Sequence, residues 1–341
     1  MEFNFQLKTL NNENIRIKCN DIFFNYVEMR KYCSEQDCLQ MIEIIKRESG
    51  KKMAISFGNC QADRTMNFLI NNRVFAKEYF FLTLPAVFEY QEHQVPMHQE
   101  QFWSLCDLLI SQRVNNDNKF NAMLATQKLP QWLPEKSKII WVPNIYFDGY
   151  FPQYAHNERN FEFDKDGRVP FLHADIYVDT FVSGGGTTEA DLKKYIEEQD
   201  FISPTEVLAK VEKSFAELKK RQWPCDIHIL DFIIDNYKRR QMFYCPNHPT
   251  QNVILELVHR ILRFMDISDM SFEHMEVLMH PQNSLKGQDI PIYPKVAEII
   301  GLEEYEKDDI FANWYMWPFK GNYVEYLLEY ARHSWKDELA K

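Results

Sequence analysis

Met53-Ala54-Ile55-Ser56-Phe57 is an uncharged, mostly apolar run that breaks at Gly58-Asn59 and continues into Cys60-Gln61-Ala62. The run is too short for a helix and suits a buried strand. Gly58-Asn59 turns the chain, and a helix is expected to start near Gln61. Similar short runs follow: Phe80 to Val87, with an irregular end at Pro85; Leu108-Leu109-Ile110, ending at Ser111-Gln112; and Lys138 to Val142, closed by Pro143. Between and before them lie helical patterns, Glu35 to Arg47 with Gly50 as its stop, and His98 to Leu105. Strands alternating with helices at this spacing predict an α/β fold, an open, mostly parallel sheet flanked by helices. The first 30 residues read as small strands or an added edge.

The second half changes character. Thr188 to Asp191 has capping-box spacing, and Ser203-Pro204-Thr205-Glu206 combines a cap, a proline in the first turn and a carboxylate three residues on. Helices are expected from there to about Gln222, over Asp226–Arg240, over Thr250–Met265 and over Tyr323–His333, which makes the C-terminal half largely helical. Gly184-Gly185-Gly186 lacks the lysine of a phosphate-binding loop and reads as a flexible linker.

Composition excludes several classes. The formal charge is −11, so no broad positive field draws the chain to nucleic acid, and Lys219-Lys220-Arg221 reads as a solvated helix face. The start has neither a basic region nor an apolar stretch of signal-peptide type, and no segment suits a transmembrane helix. The seven scattered cysteines read as reduced thiols in a cytoplasmic protein. No compact His/Cys spacing suggests a metal, so none is expected. A homodimer is compatible with this surface, although no long exposed apolar helix demands one.

Cys60 is the strongest chemical candidate. A residue at a strand-to-helix junction stands at the carboxyl end of the sheet, where open α/β folds bind ligands. Backbone N–H groups of the new helix turn would lower a thiol pKa and could stabilise an oxyanion, with Asn59 and Gln61 adding amide donors. The competing reading is a structural cysteine in a polar turn. A thiolate needs a base. His248, in Cys245-Pro246-Asn247-His248-Pro249-Thr250, sits in a turn shaped by proline, where Asn247 could orient the ring or bind ligand. His280 before Pro281 is its main competitor, whereas His228 and His259 read as packed in apolar helices. Gln112 and Arg113 could bind carbonyl or phosphate oxygens, or form a polar surface turn. Asp107 could stand behind a histidine or cap a turn. Asn144, in the aromatic run Pro143 to Pro152, could line a pocket or belong to a packed loop.

Taken in order, Phe57-Gly58-Asn59-Cys60-Gln61, Leu109-Ile110-Ser111-Gln112-Arg113, Pro143-Asn144 with Gly149-Tyr150-Phe151-Pro152, and Asn247-His248-Pro249 resemble the WcbI family of polysaccharide biosynthesis proteins. The Gly-Asn-Cys turn is also similar to the Gly-Asp-Ser turn of SGNH hydrolases, with cysteine in place of serine. The resemblance implies a catalytic domain over 50–270, with 1–49 as an N-terminal extension or edge and 271–341 as a C-terminal extension packed on it. It implies transfer of an acetyl group from acetyl-coenzyme A to a hydroxyl of a sugar, nucleotide sugar or glycan, on the cytoplasmic side of glycan assembly. Cys60 and His248 would be catalytic. Asn59, Gln61, Gln112, Asn144 and Asn247 would bind the oxyanion or substrate, and Arg113 would meet a coenzyme phosphate. A cysteine-dependent esterase or deacylase, and a non-catalytic glycan-binding protein, are the alternatives.

Overall fold

Met53 to Phe57 are all buried, with no alternation between faces. Such a strand requires partners on both edges and helices over both faces. The computed structural model supplies the partners in a parallel sheet. It describes all residues except 9–13, 21, 85, 88–99, 114–130, 157–170, 281–284, 288, 308–309, 314–318, 336–337 and 340–341. The chain forms two units: Met1–Asn144 with Arg221–Ile229 and Ile254–His280, and Ile145–Lys220 with Leu230–Val253 and Pro281–Lys341.

The first unit opens with an antiparallel hairpin, β1 (Glu2–Lys8) and β2 (Asn14–Asn20), followed by β3 (Phe23–Asn25) and α1 (Tyr26–Arg30). α2 (Glu35–Ser49) begins with a capping box between Ser34 and Asp37 and stops where Gly50 takes a left-handed φ of 68°. Only glycine adopts that conformation without steric cost. Its buried stripe of Cys38, Leu39, Met41, Ile42 and Ile45 joins a core with Met53, Ile55, Phe57, Phe80 and Trp103. Then come β4 (Lys52–Phe57), α3 (Cys60–Leu69), α4 (Arg73–Glu78), β5 (Tyr79–Thr83), α5 (Glu100–Trp103), β6 (Cys106–Gln112) and β7 (Lys138–Val142).

The sheet order is β3-β5-β4-β6-β7, and every pairing is parallel. From β4 the chain moves outward to β5, then returns past β4 to β6. The direction of winding therefore reverses at β4, which places a crevice at its carboxyl end. Asn72 ties the unit's late segment to its early one: its Nδ2 donates to the carbonyls of Asp269 at 2.8 Å and Ser271 at 3.1 Å.

The second unit contains β8 (Tyr154–His156) paired antiparallel with β9 (His173–Asp175), then α6 (Ile176–Ser183), α7 (Glu189–Glu198) and most of α8 (Pro204–Gln222). After α9 (Leu230–Asn236), β10 (Phe243–Cys245) and β11 (His248–Pro249) form a short antiparallel hairpin that leads into α10 (Gln251–Phe264). Helices over Pro294–Ile300 and Tyr323–Ser334 follow.

Three expectations change. The segment after Asp226 is not helical until Leu230, because the N–H groups of Asp226 and Ile227 donate to the Trp141 carbonyl and the Asp226 carboxylate accepts from Trp141 N–H at 2.8 Å. His228 accordingly lies outside any helix and is exposed. Gly184-Gly185-Gly186 is a helix terminus rather than a linker: their N–H groups close on the carbonyls of Thr180, Val182 and Phe181, and Gly186 packs so tightly on the Phe181 ring that a side chain there would collide with it. The Pro85 end of the second strand, the first two residues of the His98–Leu105 helix and the proline after His280 lie outside the described residues.

Asp175 caps α6 through the N–H groups of Tyr177 and Val178 and accepts from the Tyr293 hydroxyl at 3.1 Å. Burial outweighs these bonds and lifts its carboxyl from an ordinary 3.8 to about 7. Between those values the unfolded chain releases this proton and the folded chain keeps it, so this group's contribution to stability declines as pH rises. Asp175→Asn keeps a cap without the titration. Relative to this variant, the native protein should lose stability from about pH 4 to 7, by up to about 1.4 kcal/mol per pH unit, as measured by denaturant melts across that range.

Candidate functional site

Asn59 is the N-cap of α3. Its Oδ1 accepts from the Gln61 N–H at 3.0 Å, which starts the helix at Cys60. The remaining shape of the turn comes from β6. Gln112 Oε1 accepts the Asn59 N–H at 2.8 Å, and Gln112 Nε2 donates to Gln61 Oε1 at 3.0 Å and toward the Pro143 carbonyl at 3.4 Å. Asn59 Nδ2 donates to Asn144 Oδ1 at 3.2 Å. The carboxyl ends of β4, β6 and β7 are thereby joined through amides. Gly58 is required because the Gln112 side chain lies directly over it: a Cβ there would sit 2.9 Å from Gln112 Cδ.

Five of the residues singled out from the sequence, Asn59, Cys60, Gln61, Gln112 and Asn144, thus meet in one place in the first unit. Their division of labour is not the expected one. Gln61 and Gln112 are 1% and 4% exposed, and the Gln112 amide is committed to the turn itself. Arg113 is exposed, with its guanidinium 4.8 Å from the Trp141 ring centroid, a cation–π contact that leaves its charge at the surface. Asp107 is not behind a histidine. Its carboxylate accepts from Met53 N–H at 2.9 Å and pairs with Lys46 at 2.6 Å, which fixes the start of β4.

Cys60 is half-buried, and none of the seven cysteines is in a disulfide. Its own N–H, that of Gln61 and the nearby Arg64 guanidinium all favour the thiolate, as expected at a helix N-terminus. Burial is the larger influence, and the thiol is pushed up to about 11. Asp63 and Arg64, not singled out from the sequence, follow Cys60 by three and four positions on α3, the spacing that puts side chains on one helix face. Asp63 lines a small hollow of about 20 Å³ beside Gly58 and Asn59, with Ser56, Met66 and Leu84 as further walls. Its carboxyl is raised by desolvation. The i+3 and i+4 positions were the available signal.

His248 and Asn247 belong to the second unit. His248 is 7% exposed on β11, opposite Cys245 on β10, and the Cys245 thiol donates to Asn247 Oδ1 at 3.2 Å. The turn is held from outside by Phe147, whose N–H donates to the Pro246 carbonyl at 2.8 Å. His173 lies close enough to His248 for their charges to interact; burial first, then His248 and His156, depress it to about 3. No sequence pattern marked His173. His280 is exposed, in the first unit. Among the described residues, no group of three or more His, Cys, Asp or Glu could hold a metal ion, and no helix is long and apolar enough to cross a membrane.

An open parallel α/β sheet whose winding reverses at a glycine turn bearing a cysteine at a helix N-terminus defines a class of open α/β proteins, a fold in which such a reversal is the usual place for a ligand. The family profile described as polysaccharide biosynthesis enzyme WcbI matches residues 53–270, and the chain belongs to that family. A similar solved structure is a WcbI, described as a novel polysaccharide biosynthesis enzyme, in a native form without a disulfide bond between coenzyme A and one of its cysteines. It aligns with a TM-score of 0.68 at 21% identity, over 82% of this chain and 88% of that one, a likeness of fold. No curated protein matches.

Two outcomes follow from this geometry. Gln112→Ala leaves the Asn59 N–H without its partner and should cost about 1–3 kcal/mol. Gly58→Ala should cost a similar amount in the native background but much less beside Gln112→Ala, a coupling that a double-mutant cycle on melting free energies will detect. Separately, carbamidomethylation of Cys60, followed by peptide mass spectrometry, should be slow at neutral pH and accelerate steadily toward pH 11; a plateau near neutrality would mean that the helix terminus prevails over burial.

Proposed function

We propose that this chain transfers an acetyl group from acetyl-coenzyme A to a hydroxyl of a sugar, nucleotide sugar or glycan during polysaccharide assembly. The observation that carries the reading is the position of Cys60, first residue of α3 at the carboxyl edge of β4, with its own N–H and that of Gln61 facing the sulfur. A similar family member is described in connection with a coenzyme A–cysteine disulfide, which supports a coenzyme A thiol reaching such a cysteine. The residues suit a thioester: a sulfur, helix N–H groups for a developing oxyanion, and in Arg113 a surface guanidinium for phosphate.

In the covalent route the Cys60 thiol loses its proton to a base and its sulfur attacks the thioester carbonyl. The coenzyme A sulfur leaves and takes up a proton. The acceptor oxygen then attacks the acetyl-cysteine, its proton passes to the base, and the Cys60 thiol is restored. In the direct route the acceptor oxygen attacks the thioester itself and Cys60 only shapes the donor pocket. His248 is the proposed base in both, as a buried imidazole held in a turn. A thiol raised to about 11 makes proton removal the demanding step of the covalent route.

The N–H of Gln61 already serves Asn59 Oδ1 at 3.0 Å. The Cys60 N–H is therefore the stronger oxyanion donor, with Asn59 Nδ2 available once it leaves Asn144. We assign the enzyme to the cytoplasmic side of assembly, before export, where acetyl-coenzyme A is made.

Calorimetry should show micromolar binding of coenzyme A and acetyl-coenzyme A to the native protein. With an accepting sugar, His248→Ala should lower turnover by about 10²–10⁴-fold, and Cys60→Ala should lower it comparably on the covalent route and by less on the direct one. An acetyl mass increment on the Cys60 peptide after mixing with acetyl-coenzyme A identifies the covalent route. Full activity in Cys60→Ala would overturn the site, and acetate release without coenzyme A would replace the transferase by an esterase.

A further inference from the structure

The face of the β8–β9 hairpin is set by its register. His156 pairs with His173 and Tyr154 with Asp175, so these four side chains share one face and Ala155 and Ala174 the other. The Tyr154 and His173 rings are in contact across the strands, with centroids 5.2 Å apart. On the neighbouring hairpin Cys245 pairs with His248, which puts those two on one face as well. The two faces meet: His173 interacts electrostatically with His248, and Tyr154 with Cys245.

Within this cluster one side chain has no explanation in the fold. Both ring nitrogens of His173 are buried, and neither has a hydrogen-bond partner. Buried polar groups are paired in folded proteins with few exceptions, and each exception calls for a reason. Asp175, the carboxylate on the same face, is already committed to capping α6 and to Tyr293. The hydroxyl of Thr250, two residues beyond His248 and just past β11, is also buried without a partner. A neutral imidazole offers one N–H and one lone pair, and a threonine hydroxyl offers both in one atom. Depressed to about 3, His173 carries no charge near neutral pH to attract an anion. The complementary chemistry is a neutral group that donates and accepts at once, presented beside a ring carbon surface such as that of Tyr154.

We propose that His173, with Thr250, is a binding residue for hydroxyl groups of an uncharged polyhydroxylated ligand, a sugar, next to His248. The proposal rests on the reading that a sugar is the acyl acceptor, and assigns its recognition to the second unit.

The test uses full-length protein with ¹³C-labelled histidine and a mixture of methyl glucoside, methyl galactoside and methyl mannoside at high millimolar concentration. The His173 ring signals, assigned by their loss in variants, should shift on addition of the glycosides, and those of His248 should shift with them. His173→Phe replaces the unpaired nitrogens with carbon. It should melt higher than the native protein and bind the glycosides about tenfold or more weakly. His173→Gln, which restores a donor and an acceptor, should recover much of the binding. Ring signals of His173 that ignore the glycosides would overturn the proposal, as would native-like glycoside binding in His173→Phe. If His173→Phe does not fold, the native ring shifts and the His173→Gln titration decide. Acetyl-coenzyme A takes no part, so failure of the donor assignment shows only in calorimetry, and failure of this proposal shows only here.

Discussion

A single side-chain amide holds the first unit's candidate site together. Gln112 stands at the end of β6, yet its oxygen takes the Asn59 N–H at the end of β4 and its nitrogen reaches the Gln61 side chain and the Pro143 carbonyl. Parallel strands that end side by side leave unsatisfied backbone groups at the sheet edge, and burying those groups is costly unless something pairs them. Gln112 does so while 4% exposed. It occupies the volume a side chain at position 58 would need, which fixes glycine there, and it orients Asn59, which in turn caps α3. The position of the Cys60 thiol follows from that sequence of contacts.

Two opposed forces then act on the thiol. The N-terminus of α3 and Arg64 stabilise a negative charge on sulfur, and removal from water destabilises it more strongly. A thiol kept protonated at rest is protected from adventitious oxidation and alkylation, because the thiolate is the reactive species. The second unit poses the complementary case in His173, where burial keeps an imidazole neutral and leaves both nitrogens available for hydrogen bonding.

The parts legible in the sequence are those written locally. The run Met53 to Phe57, the Gly58-Asn59 turn, the Gly50 helix stop, the Thr188 cap and the strand Lys138–Val142 depend on neighbours a few residues away, and each is found where expected. What was not legible depends on distant partners. Nothing near Gln112 announces that its amide closes a turn more than fifty residues earlier, so it read as a ligand for carbonyl or phosphate oxygens or as part of a polar surface turn. Asp107 read either as a group behind a histidine or as a turn cap, because its partners, Lys46 and the Met53 N–H, come from other elements. The helix terminus that lowers a thiol pKa is visible in Gly-Asn-Cys, but the burial that outweighs it is a property of the packed core. The residues 226–229 read as the start of a helix and are held out of it by Trp141, a contact across the unit that local pattern does not encode.

The Asn72 amide carries a consequence for synthesis. Its carbonyl acceptors, Asp269 and Ser271, lie 197 and 199 residues further along the chain. A ribosome must therefore add that whole length before this side chain can be paired, while the sheet around it already has every strand it needs. During that interval an almost complete unit exposes an unfinished seam. The growing polypeptide must shield the seam itself or leave it to a chaperone, and the vulnerable period is set by translation speed rather than by the strength of any contact in the finished fold.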